Sequence, residues 1–457
     1  MGTVGISFGS ASSGVGFDVA TTVTQILANE QQIETPWQTQ LTALQAQDTA
    51  FTSLGSDLAT LTTKLQALTD FSGVMSQMQG ASSNTNVLAL TGASSTAVAG
   101  SHTITVNSLA QTSSNYSNTI TNASDVLSGS ITIQVGSNAA STVTVGSSSN
   151  TLSTLAAAIN AAAIGVSATV ISDASGARLS LVSGTGGGAG QLTVSSALSD
   201  TITSASIGFT SGQTGQNGSL VVDGVSLSSA SNTVTDAIPG VTFQMLSSAV
   251  GTPVQVQITN DNTAVATAMS SFVSAYNVVA GDIKTQTGKD ANGNAQPLAG
   301  NSTLSLIQNQ LSTALLGGTA SGNISSITQL GISVNNDGTL TLDTNALNSA
   351  LNTNYYNIQG YLQSASSFGQ NFSSILNGLG TQAPGGDVYL AQQQNAAEEI
   401  SLNQSITNEN ARIAGDKTTL TTELNTANQV LQSIPSQLNA VNEMYSAITG
   451  YNRVQAG

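Results

Sequence analysis

Apolar residues recur along this chain with two different periods, and the change from one to the other divides it. Toward the C-terminal end Leu424, Leu431, Leu438 and Tyr445 fall at every seventh position, and Ile406, Ile413, Leu420, Ala427, Ile434, Val441 and Ile448 form a second series four places earlier in the repeat. This is the a/d pattern of a coiled coil, and it predicts a helix with one stripe facing a partner. Near the other end Phe51, Leu54, Leu58, Leu61, Leu65 and Leu68 alternate spacings of three and four, after a looser stretch holding Val19, Val23, Ile26, Ile33 and Trp37. Pro36 predicts a break between the two stretches, because proline lacks an amide hydrogen and crowds the preceding turn.

From about residue 84 the period falls to two. In GSHTITVNSLAQ, Ile104 and Val106 take one face and Thr103 and Thr105 the other, the signature of a half-buried strand. Short strands of this kind, separated by Gly and Ser, run to about residue 260. One helix interrupts them, NTLSTLAAAINAAA, with Leu152, Leu155 and Ile159 on one side and Ser149 or Asn150 placed to cap it. The loop GTGGGAG, residues 184–190, reads as a mobile tip. Helical spacing then returns with Val265, Met269, Phe272, Tyr276, Val279 and Ile283, and with Leu304, Ile307, Leu311 and Leu315. GISVNNDGTLTLD reads as a hairpin turning on Asn336, Asp337 and Gly338.

The expected fold is α+β and multidomain: terminal coiled-coil helices and a helical leg domain, with antiparallel β-rich head domains inserted. Residues 1–50 form a stalk helix with 400–457, residues 51–83 and 262–399 the leg, 84–125 and 213–261 a first β head domain, and 126–212 a second inserted in the first. Residues 1–18, rich in Gly and Ser, read as a segment that orders on docking. The terminal seam admits two partners, the N-terminal helices of the same chain or those of neighbouring copies.

Composition narrows the function. Over 457 residues only 7% are charged and 4% aromatic, so each core is small and the surface is made of hydroxyls and amides. A net charge of −16 repels phosphate backbones and anionic lipid, which argues against nucleic acid and membrane-surface partners. No apolar run is long enough for a membrane span, and the N-terminus lacks a secretory signal pattern. The chain has no cysteine, which suits passage through a narrow export channel.

Several segments together resemble the flagellar filament-capping family, hook-associated protein type 2. SSGVGFDVATTVTQILANEQQ is similar to the family's opening, AGSHTITVNSLAQTSSNYS to the strand entering its first β domain, and SLVVDGVSLSSASNTVTDAIPGVTFQML, the most specific, to its return strand pair. TLSTLAAAINAA with VSATVISD resembles a motif of flagellins and hook proteins, while PLAGNSTLSLIQNQL and LGISVNNDGTLTLD resemble the family's helical leg. Pro435 inside the C-terminal seam and the ending GYNRVQAG depart from the pattern.

The resemblance implies a ring-shaped homo-oligomeric lid at the distal tip of the bacterial flagellar filament, with β domains as a plate and helical legs reaching the growing end. It implies that flagellin folds and inserts beneath the lid, that an export chaperone escorts the chain, and that export by the flagellar apparatus leaves no cleaved signal peptide. An adhesin for host glycans or mucin, or another flagellar axial protein (flagellin or a hook–filament junction subunit), is the alternative. Residues expected to contact sister copies or the filament are Val23, Ile26, Ile33, Trp37, Phe51, Leu58, Leu65, Ile413, Leu420, Leu424, Leu431, Leu438, Val441, Tyr445 and Ile448.

Catalytic chemistry finds little to work with. His102 is the only histidine and has no cysteine or second histidine with which to build a zinc site or a triad. Asp290, Asn292 and Asn294 alternate like the head of a calcium loop, but the twelfth position is Asn301 where a bidentate Glu is needed. GTGGGAG is followed by no GK[ST] helix, which leaves phosphate binding without support. No enzyme activity, cofactor or metal is expected.

Overall fold

The computed structural model of the chain describes residues 14–450. Of the Gly- and Ser-rich opening only residues 14–18 fall among them, and of the ending GYNRVQAG only Gly450; the rest lies outside the described residues. Eight α-helices are present among these: α1 (Val19–Gln31), α2 (Glu34–Thr69), α3 (Leu152–Ala161), α4 (Asn262–Gln286), α5 (Ser302–Leu316), α6 (Thr344–Gln363), α7 (Phe368–Leu379) and α8 (Asp387–Thr449). The chain divides into two compact units, Met1–Ala67 with Met269–Gly457, and Leu68–Ala268.

The β-rich unit contains two lobes with separate cores. In the first, an antiparallel sheet runs in the order Met78–Ser82, Val254–Asn260, Gly100–Ser108, Gly218–Val222 and Val225–Ser229. The alternation read at Ile104 sets its register, since Ile104 lies opposite Val222 on one side and Val254 on the other, and all three are buried in one cluster. Asp223 and Gly224 make the two-residue hairpin turn with φ of 49° and 86°, a left-handed pair that Asp tolerates and Gly favours. In the second lobe Thr112–Ser117, Val166–Asp173, Gly176–Gly186 and Phe209–Gln213 share a sheet, and α3 packs on a core that includes Ile131, Leu155, Ile159, Leu179 and Leu181. The strand Thr112–Ser117 belongs to this second sheet and Met78–Ser82 to the first, so the lobes join near residue 112 and the β unit begins ahead of residue 84. Thr151, not Ser149 or Asn150, caps α3, in a reciprocal box with Thr154.

The glycine loop is not a mobile tip. Gly186 ends a strand and Gly188–Gly190 form a single 3-10 turn, and the loop lies against the first lobe. Gly187 has φ 70° and ψ −170°, a conformation essentially restricted to glycine, and a Cβ there would come within 2.7 Å of Ala230 Cα and run into the Asn217 side chain. The Gly188 N–H donates to Asn217 Oδ1 at 2.9 Å, and Asn217 Nδ2 donates to Ser228 Oγ at 3.0 Å. Glycine serves close backbone approach here, a demand set by the other lobe and absent from the local spacing.

Asparagine amides take a role that charges fill in other surfaces. Asn160 donates to the carbonyl of Ala168 and accepts from its N–H, at 2.8 and 2.7 Å. Asn232 does the same for Ala110, at 3.0 and 2.7 Å, and Asn277 for Leu340, at 2.8 and 2.6 Å. Each amide pairs both backbone groups of one residue from the side, Ala168 and Leu340 within strands and Ala110 just past the end of one, as a further strand would.

In the helical unit α2 buries Phe51, Leu54, Leu58, Leu61 and Leu65, and α4 buries Met269, Phe272, Tyr276, Val279 and Ile283, the stripes that the three-and-four spacing predicts. Phe372 of α7 sits edge-on to Phe272 at 5.7 Å between ring centroids and tilted against Phe368 at 5.7 Å, while Tyr361 stacks on Phe368 at 5.3 Å. The hairpin Ile332–Val334 with Leu340–Leu342 turns on Gly338, whose φ is 83°; Asn336 and Asp337 keep negative φ. α2 and α8 run through residues 50 and 399 without a break, so no helix end separates stalk from leg.

One polar pair inside this unit works against it. Burial raises the carboxyl of Asp57 on α2 above its ordinary range, and both burial and the charge of Asp57 raise Asp282 on α4. The Asp282 Oδ2 atom is buried with no hydrogen-bond partner. Because both folded values lie above the unfolded ones, the folded state holds protons more tightly, and the pair's cost is present at neutral pH and relieved as pH falls through the raised values toward the ordinary Asp value of 3.8. Asp282→Asn is therefore expected to stabilise the unit at neutral pH, by about 0.5 kcal/mol given the solvent around Asp57. Thermal melts of both proteins followed from neutral pH down to about pH 3.5 should converge as pH falls toward the ordinary Asp range; parallel curves over that whole span would remove the pair from the account.

Candidate functional site

α1 lies antiparallel along α8. The Phe17 N–H donates to Asn428 Oδ1 at 2.9 Å, Val19, Val23 and Leu27 pack with Ile413, Leu420 and Leu424, and Glu30 faces Arg412 at 3.7 Å. Gly14 and Gly16, with φ 66° and 70°, bring the backbone onto α8 so closely that a Cβ on Gly14 would meet Pro435 Cγ at 2.8 Å. Farther along, α2 takes over the same antiparallel course: Gln40 Nε2 donates to Glu398 at 3.2 Å, Asn395 Nδ2 to Asp48 at 2.8 Å and Gln392 Nε2 to Thr52 at 3.0 Å. α1 ends at Gln31 and α2 starts at Glu34, which puts Pro36 in the first turn of α2, where a missing N–H costs no intrahelical bond. α8 runs on through Pro435, from Asp387 to Thr449.

Few charges hold these helices. Arg412 is the exception, clasped by Glu409 at 2.6 Å and Asp416 at 2.9 Å as well as by Glu30, which holds the Glu409 carboxyl below its usual range through the side-chain hydrogen bond. Elsewhere hydroxyls bond their own helix: Thr39, Thr42, Thr49, Thr407, Thr418 and Thr422 each donate to the carbonyl four residues back. A hydroxyl satisfied this way leaves a polar helix surface that carries neither charge nor unmet donors.

The structure separates the seam residues into three sets. Phe51, Leu58 and Leu65 are fully buried within the helical unit, and hold it together. Val23 and Ile413 are buried, and Ile26, Trp37, Leu420, Leu424 and Leu431 half-buried, with Val23, Ile413, Leu420 and Leu424 in the α1–α8 cluster. Ile33, Leu438, Val441, Tyr445 and Ile448 are exposed, the last four at 49, 56, 54 and 78%. The heptad stripe thus continues past the point where α1 stops covering it. Spacing could not show this division, because both halves keep the same repeat.

Elsewhere the polar groups are committed locally. His102 Nδ1 lies 2.7 Å from Asp223 Oδ2, and the Thr103 N–H donates to Asp223 Oδ1 at 2.8 Å; the His102 hydrogen bond is the main cause of an Asp223 carboxyl held below its ordinary range. The Asp290 carboxylate accepts from the N–H groups of Asn292 and Asn294 at 2.9 and 2.8 Å and from the Asn294 side chain at 3.1 Å, which closes its loop as a turn. Among the described residues no group of three or more His, Cys, Asp or Glu could hold a metal ion.

Two paired terminal helices with an open apolar stripe, flanking β lobes that carry almost no charge, define a structural assembly subunit. Comparison with known proteins agrees. The chain matches the sequence profiles of the flagellar hook-associated protein 2 N-terminus over residues 15–113 and C-terminus over residues 215–452. It is 29% identical to the B-type flagellar hook-associated protein 2 of Pseudomonas aeruginosa, over 66% of this chain and 73% of that one, and 29% identical to the flagellar hook-associated protein 2 of Escherichia coli K12, over 76% and 78%. The D1-D2-D3 domains of the flagellar cap protein FliD from Escherichia coli superpose on 76% of this chain and 99% of their own length, with a TM-score of 0.59 and 27% identity. The chain belongs to the flagellar hook-associated protein 2 family.

Proposed function

We propose that this chain is the structural cap at the distal tip of the bacterial flagellar filament, outside the cell, and that it works by geometry without catalysis. Copies assemble as a ring-shaped homo-oligomer, their helical units and terminal helices engage sister copies and the growing end, and flagellin subunits fold and insert there. The chain reaches the tip through the flagellar export apparatus without a cleaved signal peptide, escorted beforehand by an export chaperone. The observation that carries this reading is the apolar stripe of α8, half covered within the chain and half open, in a member of this family. A helix stripe of this length gains too little alone to offset its ordering, so it engages and releases as its partners come and go.

Electron microscopy of the purified chain mixed with flagellin filaments tests it. Added density at one filament end is the expected result; density along the sides, or bare ends, overturns it. Adhesion to host glycans or mucin by the β lobes is a compatible second role, supported by their hydroxyl- and amide-rich surface. Deletion of the whole second lobe, residues 112–213, should then abolish glycan binding while end-capping persists.

A further inference from the structure

The β unit, Leu68–Ala268, carries seven aspartates, one arginine, and neither glutamate nor lysine. Six of the aspartates are engaged by their own surroundings: Asp70 by Ser72, Asp125 by Asn122, Asp173 by Ser175, Asp200 by Ile202 and Thr203, Asp223 by His102 and Thr103, and Asp261 by Ala264. Asp236 is the exception. It is exposed, and among the described residues its carboxylate has neither a hydrogen bond nor an ion pair. Arg178, the unit's one strong cation, likewise meets no carboxylate among them.

Both groups are held in place without being used. Leu179 and Leu181 point into the second lobe's core, so strand alternation turns Arg178 to the opposite, open face of the sheet. There its Cζ lies 5.7 Å from the centroid of the Tyr116 ring, and its Nη1 donates to the Ser117 carbonyl at 3.5 Å. The ring fixes the guanidinium by a cation–π contact, and one long bond leaves most of its five N–H donors free. Asp236 belongs to the edge strand Thr233–Ile238 of the first lobe. Thr235 pairs with Thr242 and Ile238 with Val241, so Asp236 and Ala237 stand outside the ladder, and Asp236 has φ 62°. A bulge of this kind on an edge strand re-aims a side chain, and aspartate is among the few residues that accept the left-handed region.

We propose that Arg178 of one copy pairs with Asp236 of the next, so that the second lobe of each β unit docks on the first lobe of its neighbour. This rests on the reading of the chain as a ring-shaped cap and names the β-unit contact that joins its copies. A ring needs two different patches, because each copy turns one flank to the copy ahead and another to the copy behind. Rotation about a single axis also keeps each part of the chain at its own height, so β units meet β units. With seven aspartates against one arginine such units repel each other, and the unmet cation and the unmet carboxylate are the complementary charges that the unit has left. A pair at the edge of an interface sets which flanks meet more than how tightly they hold.

Charge exchange in the full-length chain tests the pair. Arg178→Asp and Asp236→Arg should each raise the concentration at which half the chain is assembled, followed by light scattering, by about tenfold, since each sets like charges against one another. The double variant, which restores the pair with its ends exchanged, should return to within about threefold of the natural chain. Rescue of this kind cannot come from a variant that has merely misfolded. The differences should shrink in about 1 M salt, where charges are screened within about 3 Å. Unchanged assembly in either single variant, or a double variant no better than the worse single one, overturns the proposal. So does unchanged assembly together with loss of sialyllactose binding in Arg178→Asp, which would assign the arginine to an acidic glycan. Filament-end binding of the same proteins separates this pair from the cap itself. Rescue by the double variant with bare filament ends keeps the pair and removes the cap, whereas capped ends with no charge effect on assembly do the reverse.

Discussion

Phe372→Ala is expected to cost the helical unit about 3–5 kcal/mol, the range for removing a fully buried phenylalanine. The ring is completely enclosed and meets Phe272 and Phe368 at 5.7 Å each and Tyr276 at 6.5 Å, so truncation leaves a cavity and breaks edge and tilted contacts at once. Against a total folding free energy of roughly 5–15 kcal/mol, that is about a fifth or more. The helical melting transition should fall by roughly 10 °C, while the β unit, whose cores contain none of these rings, keeps its own transition. Circular dichroism and calorimetry would show two transitions separating. Phe372→Leu, which refills most of the space, should recover much of the loss; a drop within about 1 kcal/mol for the alanine variant would mean that the aromatic cluster is not what holds the unit.

The second large effect is expected at the joint between the β lobes. Gly187→Ala imposes a side chain on a backbone conformation that costs a non-glycine residue about 1–3 kcal/mol, and the new methyl meets the Ala230 backbone, adding about 1–3 more. Each lobe keeps its own core, so the expected outcome is separation of the lobes and not unfolding. Limited proteolysis should cut faster near residues 110–112 and 214–217, and small-angle scattering should show a larger radius. Gly188→Ala is the control: the nearest atom to its Cβ, Asn217 Oδ1, lies at 3.8 Å, an ordinary contact. Equal cleavage of the two variants would remove the proposed role of the glycine loop.

Both predictions depend on features with different visibility in the amino-acid order. Phe272 and Tyr276 appear as helical positions in the three-and-four spacing, because a helix that buries one side must repeat its apolar residues near every 3.6 positions. That Phe372 would close over them required knowing how α7 folds back. Gly187 shows the opposite case: a run of glycines looks the same whether it is free or pressed against another backbone. Asn160, Asn232 and Asn277 are likewise indistinguishable in sequence from the chain's other asparagines, since their backbone partners come from the folded arrangement.

What the amino-acid order determined by itself was periodic and local: the terminal heptads, the alternation at Ile104 and Val106, the break before Pro36, and a surface with hardly any charge. Each of these is set by a residue's near neighbours, and an unbroken repeat records it. Tertiary structure alone decided how the C-terminal stripe is shared, with α1 covering it from Ile413 to Leu424 and leaving Leu438, Val441, Tyr445 and Ile448 open. The reason is physical. A heptad states that a helix has an apolar face, but which surface removes that face from water depends on where the rest of the chain, and other chains, come to lie.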